Sequence, residues 1–205
     1  MWILPSRGRA QNAARFFSAF AATGGSTPGV LCVDSDDQQL EAYRELALPK
    51  GWALEVAPRL GVGPTINRAF NEHPAEPWYG TMSDDAMPVT GGWDKELADA
   101  AGEEYISYCA DGINDERQAS HFAIGGALAR RLGWIILPGL VRIYGDNVIS
   151  DIGRAHGLLR YLPHVRLEHW HFSNGKALID ETYLKPEAGN DSTVYQRWVA
   201  AGRPH

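Results

Sequence analysis

Cysteine is scarce in this chain of 205 residues, which contains only Cys32 and Cys109. The two thiols form no CxxC pair and match no zinc-ligand spacing, which argues against a disulfide-rich scaffold and against a cysteine zinc site. Two ordinary buried thiols fit a reducing environment, so we expect a cytoplasmic protein.

Long hydrophobic runs and leader-like segments are missing as well. The apolar run "GWIILPGL" (133–140) is far shorter than the ~20 residues that span a bilayer. The N-terminus lacks the charged and long apolar regions of a signal peptide. Since the chain also shows no internal repeat or low-complexity tract, we expect one globular domain without a membrane span.

Several common motifs of nucleotide-binding enzymes and hydrolases are absent. The chain has no GxxxxGK[ST] segment, which excludes a P-loop. The stretch "GVGPTINRAF" (61–70) resembles a dinucleotide-binding glycine loop, but it follows two strand–helix units and lacks the third glycine. Ser83 is not part of a G-x-S-x-G elbow. A Rossmann dehydrogenase and an α/β-hydrolase are therefore disfavoured.

Positive charge is in short supply, and the net charge is −6. Residues 1–114 carry 8 Lys and Arg against 16 Asp and Glu, whereas residues 115–170 carry 7 Arg against 5 acids. A generally basic nucleic-acid-binding surface is disfavoured, although an arginine-bearing face in the second half remains open. Seven Trp and eight Tyr are many for this length, and such side chains stack on bases and sugars as well as filling cores.

The sequence does contain a regular alternation of strand and helix patterns. Apolar stretches followed by helical spacing occur in "MWILPSRGRAQNAARFFSAF", "GVLCVDSDD", "WALEVAP" and "PWYGTMSDD". They predict an α/β fold with a mainly parallel central sheet flanked by helices. Ligands collect beyond the carboxyl ends of such strands, where the sequence places polar groups at 5–7, 34–37 and 83–85.

Two adjacent carboxylates, Asp84 and Asp85, stand at the predicted end of the fourth strand. Neighbouring carboxylates repel and raise each other's pKa unless a cation or good donors lie between them. One interpretation is a divalent ion held by carboxylate and substrate phosphate. The other is a polar turn, for which Asp and Ser are common.

Other polar groups could join such a site. In "LEHWHF", a strand would place His169 and His171 on one face, as metal or diphosphate ligands or as ordinary satisfied histidines. In "YGDNVISDIG", Asp146 could be a general base or a helix cap. Arg7 and Arg9 in "PSRGR" could meet phosphate or base, or simply be solvated.

An ordered series of segments carries a family resemblance. It consists of "WILPSRGR", "VLCVDSDD", "GPTINRAFNE", "WYGTMSDDAMP", "IGGALARRLG", "IYGDNVISDIG" and "LEHWHF". In this series the chain resembles the GT-A-fold glycosyltransferases, especially the small family-2-like enzymes of phage and bacterial type. The match spans about residues 1–183.

The resemblance implies a UDP- or GDP-type sugar donor and a divalent ion, Mn²⁺ or Mg²⁺. Ser83-Asp84-Asp85 takes the place of that family's DxD motif, with Asp85 on the metal and Asp84 nearer the ribose or sugar. Asp146 falls at the catalytic base, and His169 or His171 at a late metal or diphosphate ligand. Donor binding would involve Pro5, Ser6, Arg7, Arg9, Asp34, Asp36, Asn67, Ser83 and Asp84.

Two positions depart from the family's pattern. Ser83 stands where DxD has its first carboxylate, and Gly145 stands where a Glu usually precedes the base. Inversion at the sugar is expected only from the position of Asp146. The acceptor implied by the resemblance is a saccharide, a protein, or a hydroxylated base in phage-type DNA.

The resemblance also predicts how the chain is divided. A catalytic domain is expected over residues 1–184, with a nucleotide-sugar-binding half (1–114) and an acceptor half (115–184), followed by an arm or tail (185–205). Ser83 favours a rival function, a binding module that kept the fold without turnover. A sugar nucleotidyltransferase would need a glycine-rich opening after the first strand, which "PSRGRAQN" does not provide.

Overall fold

The computed structural model describes residues 1–170, Gly175 and residues 189–203. The strands are β1 (Trp2–Ser6), β2 (Gly29–Asp34), β3 (Trp52–Ala57), β4 (Trp78–Thr81), β5 (Ala86–Pro88), β6 (Ile106–Ala110), β7 (Phe122–Gly125) and β8 (Leu159–His169). The helices are α1 (Ala10–Ala22), α2 (Leu40–Arg44), α3 (Val62–Glu72), α4 (Trp93–Ala101), α5 (Gly126–Leu132), α6 (Gly145–His156) and α7 (Asp191–Ala200).

The strands form one sheet in the order β3-β2-β1-β4-β7-β6-β8-β5. The pairs β3–β2, β2–β1, β1–β4 and β6–β8 are parallel. Only the pairs that involve β7 or β5 are antiparallel. The predicted α/β fold with a mainly parallel sheet and flanking helices is therefore confirmed.

Two antiparallel features were not indicated by the sequence pattern. The link between β6 and β7 contains only a short 3₁₀ turn, Asp115–Arg117, so the chain folds back beside itself, since a parallel neighbour needs a longer crossover. Strand β5 has three residues, which is too short to show a two-residue periodicity.

Both faces of the sheet are covered, and the alternation along β1 shows how. Trp2 and Leu4 pack with residues of α1 and α4 in one buried cluster. Ile3, between them in sequence, packs with residues of α3, α5 and α6 in another. Successive strand residues point to opposite faces, so an unbroken apolar strand such as β1 requires helices on both sides.

The pairing of β1 with β4 is fixed by a close contact. The register sets Trp2 opposite Gly80 and Ile3 opposite Thr81. A Cβ on Gly80 would come within 2.0 Å of the Trp2 ring, so a larger residue there would push the two strands apart. This register brings the end of β1 beside the residues that follow β4.

The strand directions collect six carboxyl ends at one edge of the sheet. Strands β1, β2, β3, β4, β6 and β8 run the same way, and β7 begins at this edge. Polar residues end or closely follow five of these strands, namely Ser6, Asp34, the Ser83–Asp85 segment, Asp111 and His169. The site predicted at strand ends is therefore brought to one edge.

Helix α7 is attached to the body through a buried carboxylate. Asp191 is fully buried, and its two oxygens accept backbone N–H groups of Val141, Arg142 and Ile143 at 2.7–2.8 Å. These three residues lead directly into α6. The predicted boundary between residues 184 and 185 lies outside the described residues, and the division of the chain stays a prediction.

Candidate functional site

A pair of buried carboxylates forms the centre of the strand-end cluster. Asp84 and Asp85 are both buried directly behind β4. The Ser6 hydroxyl donates to Asp84 Oδ2 at 2.6 Å, and the Ser83 hydroxyl donates to Asp85 Oδ1 at 2.5 Å. Arg9 Nη1 lies 3.3 Å from Asp84 Oδ1 and 3.4 Å from Asp85 Oδ2. Both carboxylates are thus held by donors from β1, its following loop and their own turn.

The proximity of the two carboxylates shows in the pKa of Asp84. Burial, followed by the charge of Asp85, raises this pKa from its ordinary 3.8 to about 6. The Arg9 guanidinium and the Ser6 hydroxyl act in the opposite direction and limit the rise. The ionised form of Asp84 is therefore disfavoured here relative to an exposed Asp.

The raised pKa of Asp84 predicts a pH-dependent stability. The folded protein binds this proton more tightly than the unfolded chain, so the free energy of unfolding falls as pH rises from about 4 to about 6 and stays lower above that range. A shift of about two units corresponds to at most about 3 kcal/mol. Asp84→Asn cannot ionise, so its stability relative to wild type should increase across this window.

Urea denaturation at about pH 4 and about pH 7, with a chelator present, measures this difference. The exposed Asp99, which pairs with Lys95 on α4, supplies the control variant Asp99→Asn, for which no such pH-dependent gain is expected. A stability difference between Asp84→Asn and wild type that is the same at both pH values would contradict the assignment.

The loop after β1 is fixed by a second set of acids. Arg7 Nη1 lies 2.9 Å from Asp34 Oδ2 and 2.6 Å from Asp36 Oδ1. The bond to Asp36 is the largest cause of a raised pKa at Arg7, and the same bond lowers the pKa of Asp36. The Gly8 N–H donates to Asp37 Oδ2 at 2.7 Å. The ends of β1 and β2 are therefore joined by this ion-pair group.

Strand β8 brings an imidazole to the same carboxylates. His169 Nε2 lies 3.4 Å from Asp85 Oδ1. Burial alone would lower the pKa of His169, but the bond to Asp85 and its charge outweigh burial and raise it. The backbone N–H of Trp170 donates to the Asp85 carbonyl at 2.7 Å, which holds the two segments together. His171 lies outside the described residues.

Asp111 belongs to the same strand edge, although sequence reasoning missed it. Its Oδ1 accepts the backbone N–H groups of Ile113, Asn114 and Asp115 at 2.6–3.0 Å. Burial would raise its pKa, but these donors more than offset burial and lower it. Its carbonyl accepts the His169 N–H at 3.1 Å. A signal was present, because Asp111 directly follows the mainly apolar stretch "YISYCA" in the sequence.

His121 also belongs to this edge and was also missed. It is buried just before β7, with its ring centroid 5.0 Å from that of His169 in an edge-on arrangement. Burial, and next the charge of His169, lowers its pKa to about 4. His121 is therefore a neutral imidazole that packs against the imidazole contacting Asp85.

Asp146 stands in the first turn of α6, as the sequence predicted. Gln118 donates its amide N–H to Asp146 Oδ2, and Asp146 Oδ1 accepts the N–H of Asn147 at 3.0 Å. Burial raises the pKa of Asp146, and its charge contributes to the raised pKa of His169. Asp146 is therefore electrically coupled to the carboxylate cluster.

Two residues predicted to bind the donor, Asn67 and Pro5, have contacts in the structure with residues other than the carboxylate cluster. The Asn67 side chain donates to the Ile136 carbonyl at 2.7 Å and accepts the N–H groups of Ile135 and Ile136 at 2.9 and 3.0 Å. It therefore joins α3 to the loop that precedes α6. Pro5 is half-buried within β1, opposite Cys32 of β2. Their roles in donor binding stay predictions.

The donor atoms at this edge suit a divalent ion in their chemistry. A carboxylate and an imidazole, Asp85 and His169, are ligands that Mn²⁺ accepts, and phosphate oxygens and water commonly complete such sites. Among residues 1–170, 175 and 189–203, no group of three or more His, Cys, Asp or Glu is arranged as a metal centre.

An open groove lies beside the cluster, between α1 and the β5–β8 pair. Its volume is about 430 Å³, and its walls include Met87, Pro88 and Trp170 with Gln11 and Arg15 of α1. Two of its wall residues are close in the chain or bonded to the carboxylate pair, since Met87 follows Asp85 by two residues and the Trp170 backbone N–H donates to the Asp85 carbonyl. Within the described part of the chain, no helix is long and apolar enough to cross a membrane.

No protein-family model and no curated protein matches the chain, but solved structures share its fold. A mannosyltransferase from Pyrobaculum calidifontis, in complex with GDP-Man and Mn²⁺, aligns with a TM-score of 0.68 at 14% identity over 100% of this chain and 64% of that one. A nucleotide-diphospho-sugar transferase candidate from Desulfovibrio desulfuricans G20 aligns with a TM-score of 0.55 at 12% identity. The alignment covers 95% of this chain and 96% of that one.

A third structure, Rv0371C from Mycobacterium tuberculosis H37Rv in complex with manganese, gives a TM-score of 0.52 at 16% identity over 79% of this chain and 86% of that one. This chain spans just under two thirds of the length of the mannosyltransferase. At these identities the likeness concerns the fold. The predicted GT-A fold, that of nucleotide-diphospho-sugar transferases, is confirmed.

Proposed function

We propose that this GT-A chain is a glycosyltransferase that moves a sugar from a nucleoside-diphosphate sugar to an acceptor hydroxyl with the help of a divalent ion. The observation that carries the proposal is the buried Asp84–Asp85 pair at the end of β4. This pair lies against Arg9 and His169 at the strand edge where α/β folds bind ligands. The bound GDP-Man and Mn²⁺ of one structural neighbour support the same reading.

In this proposal the strand-end residues divide the donor between them. Asp85 and His169 would hold the divalent ion, which would supply positive charge to offset that of the leaving nucleoside diphosphate. Arg9 would contact the phosphates, since guanidinium groups bind phosphate through paired N–H donors. Asp34 and Asp36 would accept hydrogen bonds from the nucleoside, with Arg7 fixing their orientation.

Asp146 would accept the proton of the acceptor hydroxyl as that oxygen attacks the anomeric carbon, which inverts the configuration. A general base works best when its pKa lies closer to the working pH than an ordinary Asp allows. Burial raises the pKa of Asp146 in this direction. The amide of Gln118 binds one carboxylate oxygen and would orient the group.

A saccharide is the acceptor class that the surface favours. The groove beside the cluster combines an aromatic side chain, Trp170, with polar groups at its rim, Gln11 and Arg15. Aromatic faces flanked by hydrogen-bonding groups suit sugar rings. The net charge of −6 makes a DNA acceptor less favourable, because phosphate backbones bind basic surfaces.

A second candidate is a nucleotide-sugar-binding module without turnover. Two observations favour it: Ser83 replaces the first carboxylate of the DxD pattern, and Arg9 already compensates the remaining pair. The predicted base, Asp146, counts against it, because a module that only binds needs no group that accepts the proton of an acceptor hydroxyl.

The test is a panel of UDP- and GDP-sugars with Mn²⁺, Mg²⁺ or a chelator, monitored for release of nucleoside diphosphate with and without simple glycosides as acceptors. The proposal predicts release that requires a divalent ion and increases with an acceptor. Tight nucleotide binding in calorimetry without any product would select the binding module. Absence of both binding and release across the panel would contradict both functions.

A further inference from the structure

Arg9 is placed between the two carboxylates in an unusual way. A single nitrogen, Nη1, lies 3.3 Å from Asp84 and 3.4 Å from Asp85. The exposed fractions of these side chains are 10% for Arg9, 5% for Asp84 and 8% for Asp85. Two carboxylates and one guanidinium are thus buried together.

The contacts between Arg9 Nη1 and the two carboxylates are longer than typical charge-assisted hydrogen bonds. Charge-assisted N–H···O bonds are commonly 2.7–2.9 Å long, and arginine usually binds a carboxylate through two parallel bonds. Here one nitrogen is shared between two acceptors at longer distances. Arg7, two residues earlier, makes shorter contacts of 2.9 and 2.6 Å with Asp34 and Asp36. Of these two arginines, Arg9 makes the longer contacts with its carboxylates.

The backbone at Arg9 is nevertheless fixed. Its N–H donates to the Tyr43 hydroxyl at 2.9 Å, and that hydroxyl is also bonded to Ser6 Oγ at 2.7 Å. Burial raises the pKa of Tyr43 to about 12, so this hydroxyl stays neutral and continues to accept. The backbone of Arg9 is therefore fixed beside the carboxylates, and its side chain reaches them from a defined origin.

We propose that Arg9 is the resident counter-ion of the Asp84–Asp85 pair and competes with a divalent ion for it. In the absence of ligand, the guanidinium supplies the positive charge that the pair needs. A divalent ion binds Asp85 as the guanidinium withdraws, and the phosphates of the nucleotide receive the guanidinium. Metal and nucleoside diphosphate consequently bind with positive cooperativity, whereas metal alone binds weakly. The part that concerns the nucleotide rests on the proposed function; the competition with metal does not.

Removal of the Arg9 charge tests both the competition with metal and the cooperativity between metal and nucleotide. Arg9→Gln removes one positive charge from beside the carboxylates, so Mn²⁺ without nucleotide should bind at least about fivefold more tightly than to wild type. The enhancement of Mn²⁺ binding by nucleoside diphosphate, about 5- to 150-fold for ordinary couplings, should shrink towards none. By thermodynamic reciprocity, the enhancement of nucleotide binding by Mn²⁺ should shrink by the same factor.

Isothermal titration calorimetry with Mn²⁺ alone, and with Mn²⁺ in the presence of GDP or UDP, measures both quantities. The control is Arg131→Gln, since Arg131 is an exposed arginine paired with Glu104 on another surface, and it should behave as wild type. Arg9→Lys keeps the positive charge and should keep the weak binding of Mn²⁺ alone. Equal or weaker binding of Mn²⁺ alone to Arg9→Gln than to wild type would overturn the proposal.

Thermal unfolding checks that the variant is folded and gives a second reading. Arg9→Gln should unfold at a lower temperature than wild type in chelator, and Mn²⁺ should raise its unfolding temperature more than that of wild type. If this Mn²⁺-induced increase were no larger than in wild type, the competition would be refuted. If Mn²⁺ behaves as proposed but neither GDP nor UDP binds, the assignment of function fails while the role of Arg9 in metal competition stands.

Discussion

Asp85→Asn is expected to lower metal-dependent sugar transfer by about a thousandfold. Asp85 is the buried carboxylate that contacts His169 at 3.4 Å and Arg9 at 3.4 Å. An amide at this position retains the shape but loses the charge that attracts a divalent ion. A bound ion contributes several kcal/mol of charge stabilisation. Loss of about 4 kcal/mol corresponds to about three powers of ten in rate.

The measurement is the rate of nucleotide release from the preferred donor, together with the Mn²⁺ concentration that gives half-maximal rate. The matched control is Asp99→Asn, which removes an exposed carboxylate paired with Lys95 on α4 and should leave both quantities unchanged. If Asp85→Asn bound Mn²⁺ and donor as tightly as wild type, the assignment of Asp85 to the metal would be wrong.

Asp146→Asn is expected to lower kcat by a factor of about 10² to 10⁴, the range for removal of a positioned general base. Donor affinity and Mn²⁺ dependence should be unchanged, because Asp146 would contact the acceptor rather than the diphosphate. This separation of kcat from donor binding distinguishes a base from a residue that holds the site together.

A suitable control stands on the same helix. Asp151 of α6 binds Arg203 at 3.0 Å and the Tyr195 hydroxyl at 3.2 Å, so Asp151→Asn removes a carboxylate of α6 outside the cluster and should retain wild-type kcat. Because the pKa of Asp146 is raised, the rate of wild type should rise with pH at a higher pH than an ordinary Asp would give. Undiminished kcat in Asp146→Asn would rule out its role as base.

The residues of the site that could be predicted from the sequence are those that follow apolar runs, because such runs mark buried strands. A buried apolar run followed by acids occurs in "VLCVDSDD" and in "WYGTMSDD", and parallel strands bring such ends to one edge. The positions of Asp34 and of the Asp84–Asp85 pair at strand ends followed from these apolar runs. For Asp146 the sequence left a general base or a helix cap open, and the structure has it in the first turn of α6.

The part that was not predictable depends on long-range pairing. Asp111 and His121 reach the cluster because β6 and β7 are antiparallel and lie between β4 and β8. That order depends on how the segment between them turns back, and no local periodicity encodes it. The buried histidine in "SHFAIGG" looks like any histidine before a strand until its neighbour His169 is placed.

The sequence also did not predict which carboxylates each of two nearby arginines would bind. Both arginines of "PSRGR" were expected near a donor, yet Arg7 binds Asp34 and Asp36 whereas Arg9 binds the pair after β4. The difference arises because the chain turns at Gly8, which has a φ of 65°, and so directs neighbouring side chains differently. The partners of the two arginines are therefore decided only when the ends of β2 and β4 have been brought beside this turn.

The central claim is that the carboxylate pair after β4 binds a divalent ion together with the diphosphate of a sugar nucleotide. Its most direct test is the anomalous scattering of Mn²⁺ in crystals grown with Mn²⁺ and GDP or UDP. The account predicts an ion at about 2.0–2.3 Å from an Asp85 oxygen and from a His169 nitrogen, with diphosphate oxygens on the same ion and the Arg9 guanidinium moved onto the phosphates. Nucleotide bound at the strand ends with no ion at Asp85, and with Arg9 still on the carboxylates, would contradict it.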